Sequence, residues 1–497
     1  MTKFEDRLRD SGAGTPAPGP PKGDRLPFST RSAYGLGSVA EGIKNTAFST
    51  FLLFYYNQVL GLPGTLGGLA IFLALVVDAV TDPLVGSISD NWHSRWGRRH
   101  PFMYTSALPM AACFFFLFNP PTSLGQTELF LWLTAFAILV RASMTLYTIP
   151  SNSMVAEMTP HYDERTSLVS YRFFFGWAGG ITMYQLALRY FLAPTQEFGD
   201  GRYNADAYAS FALAGGIGIA AAILICALGT HRLIPSLKPP PEKTPFTLGR
   251  FFMELREVFG NVSYLMLVFG GLFAAVAAGF SEVVGLFVST YFWEFSAQEI
   301  AFLGLGAIPA VLVAVSLARP VSEKFDKKKT ALGLATFAIL WGPLPILLRL
   351  IELMPSNDDP LLLYLVFGHG LVAVTLGIVI GILLASMVAD TMDEGELRTG
   401  KRQEGLYSSA IAFTQKAVSG VGGFLAGIAL DLIDFPRTAA DGIAPVVPPE
   451  KVFALGLVVG PGLMVLWLCS LIFLSRYRIT REHHAETLAE LERRRLE

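Results

Sequence analysis

Apolar runs of about 20 residues, enough to carry a helix across the ~30 Å hydrocarbon core of a bilayer, recur along this chain from residue 33 to residue 475. No other feature constrains the fold so strongly. In lipid every backbone N–H and C=O must find a partner inside the protein, so such runs can only be helices. Hydropathy places them at 33–60, 66–90, 101–119, 127–150, 168–193, 207–230, 261–293, 297–318, 330–353, 361–390, 404–432 and 452–475, about twelve in all. The helix around Thr145 is expected to run on to Glu157. Charged residues make up 16% of the 497, against about 25% in a soluble domain. The expected fold is therefore an all-α polytopic membrane protein.

Lys and Arg set the orientation. With the N-terminus inside, the interior loops carry Arg95, Arg98 and Arg99, then Arg165, then Arg232, Lys238, Lys243, Arg250 and Arg256, then Arg319 and Lys324 to Lys329, and finally Arg398, Lys401 and Arg402. The opposite loops hold only Arg202, Arg437 and Lys451. The bias predicts a multi-pass protein of the cytoplasmic (inner) membrane with both termini cytoplasmic. Residues 1–30 show no cleavable signal and, rich in Gly, Pro and charge, predict a disordered cytoplasmic tail.

The chain reads as two halves. The proline-rich stretch 231–260, with Pro235, Pro239, Pro240, Pro241 and Pro245, is the expected cytoplasmic linker between a six-helix half at 31–230 and another at 261–475. Ser153-Met-Val-Ala-Glu157 recurs as Ser386-Met-Val-Ala-Asp390, and at the same offset of 233 Arg165-Thr166 recurs as Arg398-Thr399. Such register predicts duplication, and two pseudo-symmetric six-helix halves are the major facilitator architecture, with substrate bound near the midplane. Residues 476–497 are charged and helix-prone, predicting a solvated helix in a second cytoplasmic tail.

Polar side chains at membrane depth are costly and point to function. They are Glu41, Lys44, Asp78, Asp82, Thr145 and Arg172 in the first half, and Glu282 and Lys416 in the second. Asp78 and Asp82 lie four apart on one helical face. They suit a hard cation taking oxygen ligands, Na⁺ or a proton; the alternative is a buried salt-bridge network with Arg172 or Lys44. Arg172 and Lys416 are candidates to neutralise the acid pair when the cation is absent, or else snorkel to a headgroup. Glu41 and Lys44 are spaced to pair with each other. Asp90, Arg95, Arg98, Arg99, Glu157, Arg165, Asp390 and Arg398 mark helix ends on the cytoplasmic side and read as gate residues. Pro150 is expected to kink its helix. Phe173, Phe174, Phe175 and Trp177 line either a pocket or lipid.

Other classes of function find no support. Cys113, Cys226 and Cys469 sit within apolar runs and read as core hydrophobes. The histidines form no ligand pattern. Neither a nucleophile–base pair nor a phosphate loop is visible, so no enzyme is expected and no cofactor beyond a coupling cation. The net charge of −2 says nothing about nucleic acid, and no nucleic-acid partner is expected. The expected partners are a small-molecule substrate and membrane lipid, with the monomer as working unit.

The motifs resemble those of the glycoside–pentoside–hexuronide:cation symporter family, the melibiose permease-like branch of the major facilitator superfamily, over most of residues 31–475. The resemblance rests on Tyr34-Gly-Leu-Gly37, Phe54-Tyr-Tyr56, Asp78-x3-Asp82-Pro83, Arg95-Trp-Gly97, Ile149-Pro150, Arg172-Phe-Phe174 and Lys416. It implies coupling to Na⁺, Li⁺ or H⁺ at Asp78 and Asp82 with the hydroxyl of Thr145, substrate contact at Arg172, and a coupling role for Lys416. The family's sugar-binding aspartate falls at Gly42, beside Glu41; its second acidic position falls at Thr148, and its stacking tryptophan at Asn152. Glu41, Thr148, Asn152 and Arg172 are thus the substrate-site candidates. The expected function is cation-coupled symport of a sugar or glycoside by alternating access. The alternatives are a sodium-dependent lysophospholipid or other amphiphile symporter of the same wider family, or an uncoupled facilitator.

Overall fold

The computed structural model describes residues 26–159, 161–237, 262–324, 326–399, 418, 420–437 and 445–496. Span 1 is built of Phe28–Leu36 and Ser38–Thr46, then Leu52–Phe54 between the π-helical turns Ala47–Phe51 and Tyr55–Val59. Span 2 is Gly64–Asn91, span 3 His100–Leu117 and span 4 Gln126–Met158. Span 5 is Tyr162–Leu186, closed by a π-helical turn at Ala187–Phe191, and span 6 is Ala205–Thr230. Span 7 is Val262–Phe287, with a π-helical turn at Val288–Phe292. Span 8 joins Ala297–Leu305 to Ala307–Lys324, and span 9 joins Lys327–Trp341 to Leu344–Leu350. Span 10 is Leu361–Thr399; span 11, in its described part, is Gly420–Leu432; span 12 is Pro449–Leu457 and Leu463–Ser475 about a π-helical turn. Among the described residues eight helices are long and apolar enough to cross a membrane. The rest are span 1, interrupted by its π turns, the short spans 3 and 11, and span 5 with its buried charge.

Local chemistry sets the span ends. Asn204 Oδ1 accepts from the N–H groups of Asp206 and Ala207 at the start of span 6. Ser296 and Glu299 cap span 8 reciprocally, and Asp326 Oδ1 accepts from Lys329 N in span 9. Span 4 runs to Met158, as expected. Span 10 runs past the expected 390 to Thr399, because its polar end continues beyond the apolar run.

The pairing of spans repeats six spans later. Span 2 packs on span 4 and span 8 on span 10; span 3 packs on spans 4 and 6, and span 9 on spans 10 and 12; span 1 packs on span 6, and span 7 on span 12. This is the all-α major facilitator fold.

Close approach explains one departure from the family pattern. A Cβ on Gly42 would stand 2.1 Å from the carbonyl oxygen of Gly176 and 2.6 Å from Gly180 N. Spans 1 and 5 meet backbone to backbone there, as small residues allow in membrane helices. An aspartate does not fit at 42, and Glu41 carries the carboxylate instead.

The halves are clasped at the face opposite the termini. The Asp431 carboxylate of span 11 accepts from Gly64 N at 2.9 Å and Thr65 N at 2.7 Å, capping span 2 from the other half. Gln58 Nε2 donates to Pro436 O at 3.1 Å, and Tyr291 Oη donates to Gln58 Oε1. Arg202 Nη1 donates to Thr290 Oγ1 at 2.7 Å. At the termini-bearing face Leu26 N donates to Glu164 Oε1, and ion pairs run within each half.

Two expectations about the tails change. Helix begins at Phe28, inside the stretch expected to be a tail; residues 1–25 lie outside the described residues, as does most of the expected linker. Residues Arg481–Leu496 form the expected helix, but it is docked rather than solvated. Thr487 and Leu491 are buried, Arg494 Nη1 donates to Leu397 O at 2.8 Å, and His484 Nε2 lies 2.9 Å from Asp393 Oδ2. Its apolar side covers the polar end of span 10.

Candidate functional site

Asp78 lies at the middle of span 2, buried, one helical turn before the half-buried Asp82. Span 4 packs along span 2, and Thr145 faces both acids. Its hydroxyl lies 2.8 Å from Asp78 Oδ1 and 2.9 Å from Asp82 Oδ1. A hydroxyl has one proton, so it donates to one carboxylate at a time and turns a lone pair to the other. Two carboxylates and a hydroxyl are thus brought together, oxygen groups of the kind that hard cations take as ligands. Among the described residues no group of three or more His, Cys, Asp or Glu is placed to hold a metal.

The acid pair has a basic partner that the sequence reading missed. Arg141 Nη1 stands 3.3 Å from Asp78 Oδ2. Arg141 is one turn before Thr145 on the same face of span 4. The available signal was an arginine in the middle of an apolar run, where a charge costs at least ~2.5 kcal/mol. The guanidinium lies 5.1 Å from the Phe48 ring centroid.

Arg172 therefore does not hold the acid pair. Its Nη2 pairs with Glu41 Oε1 at 2.5 Å and its Nη1 donates to Tyr34 Oη at 3.1 Å. Span 5 presents it to span 1, whereas Asp78 faces span 4. Lys44 Nζ lies 6.0 Å from the Phe48 ring centroid. Lys416 lies outside the described residues.

A cavity of ≈ 1070 Å³ separates the halves and reaches from Tyr184 down to Val155 and Val169. Glu41, Arg141, Asn152 and Arg172 line it from the first half, and Glu282 from span 7. Arg141 and Asn152 line it from span 4, while Thr148, half-buried between them in sequence, is not among the lining residues. Phe173 and Trp177, one turn apart on span 5, are exposed to the cavity, so this part of the aromatic run faces a pocket. Asp78, Asp82 and Thr145 lie behind the wall, and Arg141 belongs to both places.

The gate candidates separate by role. Arg99 Nη2 pairs with Asp90 at 2.5 Å and Glu157 at 3.0 Å, and Arg98 pairs with Glu157 at 2.8 Å. Asp390 takes Lys327 at 2.7 Å. Arg165 makes no gate ion pair in this network. Its Nε donates to Thr159 O at 2.9 Å and its Nη2 to Ala156 O at 3.2 Å, so it neutralises the end of span 4. Arg95 is exposed over the ring of the adjacent Trp96, because the turn points it outward. The Arg398 side chain lies outside the described residues.

Residues 33–481 match a family model described as MFS/sugar transport protein. The isoprimeverose transporter of Lactiplantibacillus pentosus is 25% identical, over 82% of this chain and 80% of that protein. The putative glycoside/cation symporter YagG of Escherichia coli (strain K12) is 23% identical, over 92% of this chain and 93% of the relative. The inward open conformation of the xylose transporter XylE from E. coli superposes with a TM-score of 0.59 at 15% identity, covering 94% of this chain and 99% of that one.

Proposed function

This chain belongs to the MFS/sugar transport protein family, the glycoside–pentoside–hexuronide symporters, and on that premise we propose that it is a cation-coupled symporter of a sugar or glycoside. The observation that carries the reading is the Thr145 hydroxyl, 2.8 Å and 2.9 Å from the two acids, behind the wall of a cavity that both halves line. A cation there neutralises charge in the first half. The cavity supplies what a sugar needs: Glu41, Arg172, Asn152 and Glu282 for hydroxyls, and Trp177 and Phe173 for a ring face. Trp177 takes the part of the stacking residue that is absent at Asn152. The protein works as a monomer in the inner membrane with its termini in the cytoplasm. With the termini in the cytoplasm, the clasp at the opposite face fits an inward-facing state, which on this reading alternates with an outward one as the halves rock. A cation shifts that balance only by its differential affinity for the two states.

Uptake into proteoliposomes under an imposed Na⁺ or H⁺ gradient tests the reading, with labelled glycosides, pentosides, uronides and lysophospholipids offered in turn. Gradient-driven accumulation of a glycoside, lost in Asp78→Asn and Asp82→Asn, is expected. Accumulation of none, or uptake indifferent to both gradients, overturns it, and uptake of a lysophospholipid alone moves the substrate to an amphiphile.

A further inference from the structure

The acid pair already has a cation, and it is part of the chain. Asp78 divides its oxygens: Oδ1 meets Thr145 at 2.8 Å and Oδ2 meets Arg141 at 3.3 Å. The second contact is long for a charge-assisted hydrogen bond, which is usually about 2.7–2.9 Å. Arg141 Nε is buried with no hydrogen-bond partner among the described residues. The guanidinium is therefore held by one long ion pair and by the Phe48 ring, 5.1 Å from its centroid. It also lines the cavity, which neither acid nor Thr145 does. A movement of one side chain takes it from the acids to the substrate space.

We propose that Arg141 is the internal competitor of the coupling cation. With no cation bound, its guanidinium neutralises Asp78 and keeps the acid pair from facing empty space with two charges. When Na⁺, Li⁺ or a proton enters between Asp78, Asp82 and Thr145, it removes the electrostatic hold on Arg141: a metal ion repels the guanidinium within a few ångströms, and a proton cancels the carboxylate charge that attracts it. The released guanidinium turns to the cavity, where it meets the oxygens of a bound substrate. Substrate and cation thus favour each other through one side chain, and the coupling is reciprocal. Arg141 is a positioning residue for the cation and a specificity residue for coupling. The inference rests on the symporter reading of the same site.

The test compares wild type, R141Q, R141K and D78N as purified full-length protein, titrated with NaCl, LiCl or acid against a choline chloride control and read by tryptophan fluorescence. R141M, which keeps apolar volume, replaces R141Q if the glutamine variant is not monodisperse. Loss of a competitor tightens cation binding, so R141Q is expected to lower the half-saturating cation concentration by about 5- to 150-fold, the usual range of site coupling. R141K stays near wild type, and D78N abolishes the response. A packing role predicts the opposite sign: unchanged or weaker cation binding in R141Q, with D78N still silent, overturns the inference and leaves the symporter reading standing. If wild type responds to no cation but R141Q does, Arg141 is confirmed as the resident cation and coupled symport is wrong. If neither responds, both fall.

Discussion

Glu157 and Asp390 hold the same place in the two halves. Each closes the repeated Ser-Met-Val-Ala motif near the end of its long span, and each takes a basic side chain from the turn before, or the first residue of, the preceding span. Glu157 takes Arg98 at 2.8 Å, and Asp390 takes Lys327 at 2.7 Å. The 233-residue repeat of these acids in the sequence is thus accompanied by an ion pair at each copy, on the termini-bearing face.

The two copies differ in burial, and that predicts unequal costs. Arg99 and Glu157 are 4% and 9% exposed, whereas Lys327 is 31% exposed. Glu157→Gln removes a carboxylate shared by Arg98 and Arg99 while Asp90 stays with Arg99, and is expected to cost about 1.5–3 kcal/mol. Asp390→Asn leaves a lysine that reaches solvent and costs about 1 kcal/mol or less. Thermal unfolding of the purified variants measures this; equal losses contradict it.

Thr145 is the oxygen shared by both acids. Thr145→Val keeps the shape and removes the hydroxyl's one donated hydrogen bond to a charged group, of about 1.5–3 kcal/mol. The half-saturating cation concentration for uptake should rise at least about tenfold, while Thr145→Ser should stay near wild type. An unaltered Thr145→Val places the cation elsewhere.

Trp177 and Phe173 line the cavity. If a pyranose stacks there, Trp177→Ala raises KM by roughly two- to tenfold, as the ~0.5–1.5 kcal/mol of aromatic contact suggests, and Trp177→Phe recovers most of it. Equal KM values for wild type and Trp177→Ala remove the stacking surface.

Asp431 holds the opposite face shut through two backbone donors at 2.9 Å and 2.7 Å. Asp431→Asn keeps one acceptor and loses the charge at the start of span 2. Opening at that face should then increase, read as faster thiol labelling of a cysteine placed at Gln58. Labelling as slow as in the parent cysteine variant shows that the clasp does not limit opening.

The sequence by itself determined what is local or periodic. Apolar runs set the spans, helical spacing put Asp78 and Asp82 on one face, and the repeat offset paired Glu157 with Asp390. Thr145 and Arg172 were visible as polar groups at membrane depth. Tertiary structure alone decided the partners. Arg141 sits against Asp78, while Arg172 turns to Glu41; Gly42 admits no side chain because span 5 lies against it; Thr148 is not among the residues lining the cavity; and the last helix docks on span 10. Each of these depends on how two helices are rotated and how closely they cross. Those quantities come from packing over whole interfaces, and no spacing along one helix encodes them.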